Sequence, residues 1–238
     1  MQIKTKTNVL LTAILLSGIS LIAVAQTMEE DARFKNEVSV QTNLGHQKHR
    51  NIDYGDTSYG LGVKDTLKYG RHGAFVGIEG QRTASDKSTF SNSVREKEYD
   101  VKAGYQYEYP MAYGVTVTPH AGLGYKNQIL KDREFGDKEE FRRGYAEIGV
   151  DGRYLIKDGW AVGAGATYQR DLNNKVKVND GYDKDPSRGY YTEVTTGVYK
   201  DIGQYGKLGV EPYYGQYRNK NADKMRVTDT GVRVKYDF

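Results

Sequence analysis

The feature that most constrains this chain is the order of its connections. From Asn36 onward, segments in which apolar and polar residues alternate are joined by links that run long, short, long, short to the end. The alternating segments are approximately 36–44, 57–68, 74–84, 97–108, 114–126, 142–154, 160–170, 189–200, 207–217 and 226–238. Period two is the repeat of a β-strand, whose successive side chains point to opposite faces. The long links are 45–56, 85–96, 127–141, 171–188 and the shorter 218–225. The short links are 69–73, 109–113, 155–159 and 201–206, most with glycine in or beside a turn that needs positive φ. Ten strands with their connections sorted by length to opposite ends are expected. Such sorting serves no purpose in a sandwich.

Each segment has two unlike sides. One series carries the apolar residues, for example Tyr59, Leu61 and Val63, or Val232, Val234, Tyr236 and Phe238. The other is polar or glycine. Its charged members expected to face a lumen are Lys64, Glu79, Asp100, Lys102, His120, Glu147, Asp151, Arg153, Glu193, Glu211, Arg233 and Lys235. Alternation alone also suits a sandwich, which would put the apolar face into a core. The aromatic residues favour a barrel in a membrane. Tyr69, Tyr107, Tyr109, Tyr113, Tyr154, Trp160, Tyr199, Tyr205, Tyr236 and Phe238 all lie at or beside a short link or the C-terminus. Amphipathic rings concentrate at membrane interfaces, so these are expected to form one belt at one height. The expected fold is therefore all-β: a closed antiparallel transmembrane β-barrel of about ten strands, within a range of eight to twelve.

The first 25 residues differ from the rest. Lys4 and Lys6 precede an apolar run from Val9 to Val24 that ends in Ala23-Val24-Ala25. This is the pattern of a secretory signal peptide, with cleavage expected before Gln26. Its loss lowers the formal net charge by two from +4, and a nearly neutral chain gives no reason to expect nucleic acid. Residues 26–35 read as a periplasmic tether, and 36–238 as the barrel. With no cysteine, disulfides, thiolate metal sites and a cysteine nucleophile are excluded. No later apolar run is long enough for a membrane-spanning helix.

With the signal peptide, the ten dyad segments and the ending V-R-V-K-Y-D-F, the chain resembles Gram-negative-type outer-membrane β-barrel proteins. P-H-A-G-L-G-Y (Pro119–Tyr125) and G-V-D-G-R-Y (Gly149–Tyr154) resemble the wording of autotransporter β-domains, and small substrate-specific porins are similar in length. Both of those groups typically have twelve strands, against ten here. No passenger precedes the first strand, so secretion of a linked passenger is not expected. The resemblance implies location in the cell outer membrane, among its lipid and lipopolysaccharide. It also implies a final aromatic strand read by the barrel-assembly machinery, with Tyr236 and Phe238 in those positions and Trp160 as a further interface residue.

Chemistry is sparse. His46, His49, His72 and His120 are the four histidines, and no omptin-like protease wording surrounds the acids of the expected outer rim. No catalytic residue, metal or cofactor is assigned, and the chain reads as a non-enzyme. Asp180, Asp183 and Asp185 have oxygen-rich spacing but lack a full calcium-ligand pattern, with Lys184 among them. Interior charges of both signs can pair across the lumen and block it. Alternatively, interior glycines such as Gly60, Gly62, Gly122 and Gly124 leave room for a narrow pore. A one-sign arginine ladder for acidic sugars is lacking. Two functions follow: a narrow porin-like channel or structural barrel with a mixed-charge lumen, or a surface adhesin acting through its outer loops. Small solutes or a host surface ligand are the corresponding partners.

Overall fold

The computed structural model describes residues 34–49, 55–85, 94–132, 138–178, 182–184, 188–219 and 226–238. The segment read as a signal peptide, its cleavage point and the tether up to residue 33 lie outside the described residues.

Alternation becomes strand wherever it was expected. In chain order the strands are β1 (Phe34–His49), β2 (Gly55–Tyr69), β3 (His72–Ser85), β4 (Val94–Tyr107), the two-residue β5 (Tyr109–Pro110) and β6 (Val115–Asp132). They continue as β7 (Lys138–Leu155), β8 (Trp160–Val178), the three-residue β9 (Tyr182–Lys184), β10 (Gly189–Asp201), β11 (Lys207–Asn219) and β12 (Arg226–Asp237). Ten are long. Each long strand pairs antiparallel with its long neighbours in sequence, and β5 and β9 are short additions on β6 and β8. The sheet closes where β12 meets β1, from Ser39 opposite Asp237 to His49 opposite Val227. Phe238 follows the last strand, and its N–H still donates to the Val38 carbonyl at 2.8 Å. Closure leaves no edge for another chain to extend.

The hairpins on either side of the short turns are in level register. The offset between strand ends is taken up elsewhere: Asp237 faces Ser39, five residues into β1, and Gln106 faces His120, five residues into β6. Such stagger tilts the strands and lets the sheet close. At the short-turn end, φ is positive at Gly70, Tyr113, Gly114, Asp158, Gly159, Gly203 and Gly206. Gly206 has a second reason to be glycine, because a Cβ there would strike the Asp237 carbonyl.

The long links are shorter than the sequence indicates, because strands run on into them. β1 begins at Phe34, inside the stretch read as tether, and reaches His49, while β6, β7 and β8 are 18, 18 and 19 residues long. About 9–11 residues suffice to cross a bilayer. Above the membrane the outward face meets water while the inward face stays polar, so the apolar half of the alternation disappears although the hydrogen-bonded ladder continues. Polarity in 127–141 and 171–188 therefore reads as loop when much of it is strand.

The outward face is the apolar one. Leu123, Ile148, Leu61 and Val194 are 63, 61, 57 and 54% exposed, which in this fold means exposed to lipid. The most buried positions are largely polar and inside the barrel, among them Glu147, Gln169, Asp171 and Asn43. The barrel is thus inside-out relative to a water-soluble domain, as the hydrocarbon around it requires.

Candidate functional site

The interior is organised by glycine. Neighbouring strands lie about 4.8 Å apart, so a side chain on one strand reaches the next but one most directly where the strand between offers no side chain. The barrel uses this arrangement repeatedly. Asn43 and Gln41 on β1 donate to Glu79 on β3 at 2.6 and 3.2 Å, passing over Gly60 and Gly62 of β2. Lys64 on β2 donates to Gln106 on β4 at 2.9 Å, and the Gln106 side chain lies against Gly73 of β3. Tyr145 on β7 donates to Asp100 on β4 at 2.7 Å, its ring lying on Gly124 of β6. Tyr217 on β11 donates to Asp171 on β8 at 2.8 Å, over Gly189 of β10. Of the glycines that suggest room for a pore, Gly60, Gly62 and Gly124 are covered by these side chains, while Gly122 lies against the backbone of Ala103 and Gly104.

The other named interior residues join the same lattice. Glu147 is 3% exposed, receives Gln169 at 2.8 Å and pairs with Lys102 at 3.3 Å. His120 lies between Glu147 at 3.8 Å and Asp151 at 3.4 Å. Arg233 on β12 spans β11 to make two bonds with Glu193 on β10, at 2.7 and 2.6 Å. Arg153 stacks its guanidinium over Tyr199 at 4.3 Å, and Tyr199 donates to Glu211 at 3.0 Å. Lys235 pairs with Asp237 at 3.5 Å, where Ser39 also donates at 2.6 Å. Lys64 also sits 4.4 Å over the Phe75 ring.

Sequence reading missed the inward tyrosines. Tyr199 was expected in the interface belt, but its hydroxyl points inward to Glu211. Its neighbour Val198 already holds the lipid-facing phase, so the next residue along must face in. The same phase argument identifies Tyr145, Tyr191, Tyr213 and Tyr217. All five hydroxyls donate to carboxylates: Asp100, Glu193, Glu211, Asp229 and Asp171, at 2.7 to 3.3 Å. Arginines lie over four of these rings: Arg143 over Tyr145 and Tyr217, Arg153 over Tyr199 and Arg233 over Tyr213. Tyrosine suits this place because its ring covers glycine while its tip satisfies a carboxylate.

Asp171, at the start of the 171–188 link in the sequence, is a buried node of β8, 1% exposed. It accepts from Arg143 at 3.2 Å, Asn174 at 2.9 Å, the Gly189 N–H at 2.8 Å and Tyr217 at 2.8 Å. It lies at the register shift opposite Gly144 and Tyr145, so the node holds the outer extension of β8 against β7, β10 and β11.

A cavity of about 220 Å³ remains among these groups, lined by six carboxylates and five cations, which gives it no dominant sign. A second space, of about 680 Å³, opens at the short-turn mouth. In its wall Lys68 bridges Glu37 and Glu108, at 2.6 Å each. Among the described residues no group of three or more His, Asp or Glu is placed to hold a metal ion. Asp180 and Asp185 lie outside the described residues, and Asp183 belongs to β9.

Trp160 and Phe238 are exposed at the short-turn end, 47 and 67%. The Tyr236 and Phe238 rings meet edge to face at 4.6 Å, and the Tyr236 hydroxyl donates to the Tyr205 carbonyl.

Among solved structures, the chain is similar to the translocator domain of the autotransporter NalP from Neisseria meningitidis, at 11% identity, covering 99% of each chain with a TM-score of 0.46. It is similar to the outer membrane protease OmpT from Escherichia coli, at 12% identity over 86% of this chain and 96% of that one, TM-score 0.47. It is also similar to Ail, the attachment invasion locus protein of Yersinia pestis, at 13% identity over 85 and 97%, TM-score 0.40. No curated protein sequence matches it. The sequence profile described as outer membrane protein beta-barrel domain matches residues 11–185. With that match and a closed ten-stranded barrel whose apolar face is outward, the chain belongs to the outer-membrane β-barrel family, and its location is the outer membrane.

Proposed function

We propose that this protein is a structural barrel whose lumen is closed to solutes. One observation carries the reading: interior side chains from strands two apart bond across intervening glycines, so the openings that a narrow pore would use are filled. The remaining cavity of about 220 Å³ is smaller than the roughly 300–1,000 Å³ of typical ligand pockets and suits a few waters. Its near balance of charge selects neither anions nor cations. No catalytic residue is assigned in this reading.

Planar-bilayer recording tests it. Purified protein reconstituted at low density is expected to insert without a steady open level. A reproducible unitary conductance in the unaltered protein overturns the closed reading in favour of a narrow channel.

A second reading concerns the outer end. β6, β7 and β8 extend well beyond the length needed to cross the membrane, and the Asp171 node stiffens that wall. A rigid wall carrying loops suits a surface adhesin. Nanodisc-embedded protein is expected to bind host cells or matrix, and binding is expected to fall when the 179–187 segment is replaced by a short glycine-serine link. Undiminished binding after that replacement counts against this use of the loop.

A further inference from the structure

The outer face of β8, β10, β11 and β12 carries a row of registered residues just beyond the lipid-facing band. Arg170 is opposite Tyr190, Tyr190 is opposite Arg218, and Arg218 is opposite Arg226. Arg170 and Arg218 are exposed, and Tyr190 and Arg226 are half-buried. Directly opposed residues of an antiparallel pair have Cα atoms about 4.5–5.5 Å apart. Arg218 and Arg226 are therefore a like-charge pair at the closest cross-strand spacing, which is destabilising unless an anion intervenes. Among the described residues no carboxylate makes an ion pair with Arg170, Arg218 or Arg226. The acids of the neighbouring positions, Asp171 and Asp229, point inward, where they are bound by Tyr217 and Tyr213.

The surroundings indicate what the anion is attached to. One step toward the membrane, Tyr168 stacks on Tyr190 with ring centroids 6.0 Å apart. Below that the same strands present Ala166, Val194, Val232 and Val162, ending at Trp160 near the short-turn side. From Trp160 to Arg170 is ten residues, about 33 Å along a strand and about 25 Å in height at a tilt of about 40°, the height of the apolar band in such barrels. The row thus lies in the headgroup layer of the outer leaflet, with acyl chains beneath it. A guanidinium binds phosphate through two parallel N–H···O bonds. A tyrosine face is a platform for a sugar ring.

We infer that this row is a binding site for a phosphorylated glycolipid of the outer leaflet. The phosphate lies between Arg218 and Arg226, Arg170 reaches it from the far side of Tyr190, the sugar lies on the Tyr168–Tyr190 pair and the acyl chains lie on the strip below. The site rests on the outer-membrane location and is independent of whether the lumen conducts.

The test uses full-length mature protein in dodecyl maltoside, with fluorescent diphosphoryl lipid A as probe and polarisation as readout. Competitors are unlabelled dephosphorylated lipid A and inorganic pyrophosphate. The unaltered protein is expected to prefer the phosphorylated glycolipid by about tenfold or more, the scale of one strong charge-assisted contact. R218E/R226E, and the milder R218Q/R226Q should the first not fold, are expected to lose that preference while keeping a heat-modifiable gel band. R82E/K97E, which alters another outward pair of opposed cations, is expected to keep it. Equal affinity for both lipids, equal losses in the two sets of variants, or displacement by pyrophosphate as effective as by the glycolipid overturns the assignment.

Discussion

Arg233 on β12 reaches across the whole width of β11 to grip both oxygens of Glu193 on β10, at 2.7 and 2.6 Å. The same arginine lies 4.3 Å over Tyr213, and the same carboxylate accepts from Tyr191 at 2.7 Å. The pair therefore ties three strands beside the closing seam.

Removing one member leaves the other charge enclosed without its counter-charge. Arg233→Met or Glu193→Met is expected to destabilise the barrel by about 3–5 kcal/mol, and the double variant by clearly less than the sum. Urea unfolding in detergent, followed by tyrosine and tryptophan fluorescence, gives the cycle. Additive losses would show that the two residues do not act as a unit.

Gly124 serves as the seat of the Tyr145 ring, where any Cβ would strike it. Gly124→Val is expected to displace the ring, break its bond to Asp100 and cost about 1–3 kcal/mol. Adding Tyr145→Ala to Gly124→Val is expected to recover part of that loss. The gel-shift temperature of the folded band reports both steps.

Ile148 faces lipid, 61% exposed, near the middle of β7. Ile148→Arg is expected to cost about 2–4 kcal/mol, the range for a cation at the midplane on the lipid side of a barrel. Folding into vesicles with a urea titration measures it. A cost near zero would show that this face does not contact hydrocarbon.

Phe238 has two separable contacts. Its backbone N–H bonds Val38, and its ring meets Tyr236 at 4.6 Å. Phe238→Ala keeps the first and loses the second, worth about 0.5–1.5 kcal/mol. In line with an assembly role for this ring, the amount of folded protein in the outer membrane of cells is expected to fall severalfold, while the refolded stability changes only by that small amount. A cellular loss matched by an equal loss of refolded stability assigns the residue to packing alone.

Much of the fold was legible because a strand writes its two faces directly into sequence with period two. Val232, Val234 and Tyr236 on one side and Arg233 and Lys235 on the other need only one strand to be recognised. Ten such segments, and turns sorted by length, then imply the closed sheet. The outer extensions were not legible, since Asn127 to Asp132 and Asp171 to Val178 lose their apolar phase once the outward face meets water.

Sequence by itself determined the strand count, the greasy exterior and the meeting of the last strand with the first, because these follow from local alternation and from the need to pair every backbone group in lipid. Tertiary structure alone decided which interior groups meet. Tyr145 finds Asp100 and Arg233 finds Glu193 only because stagger and closure bring strands two apart into the same register over a glycine or a neighbouring ring. Those distances depend on offsets summed around the barrel, and no single strand carries that sum.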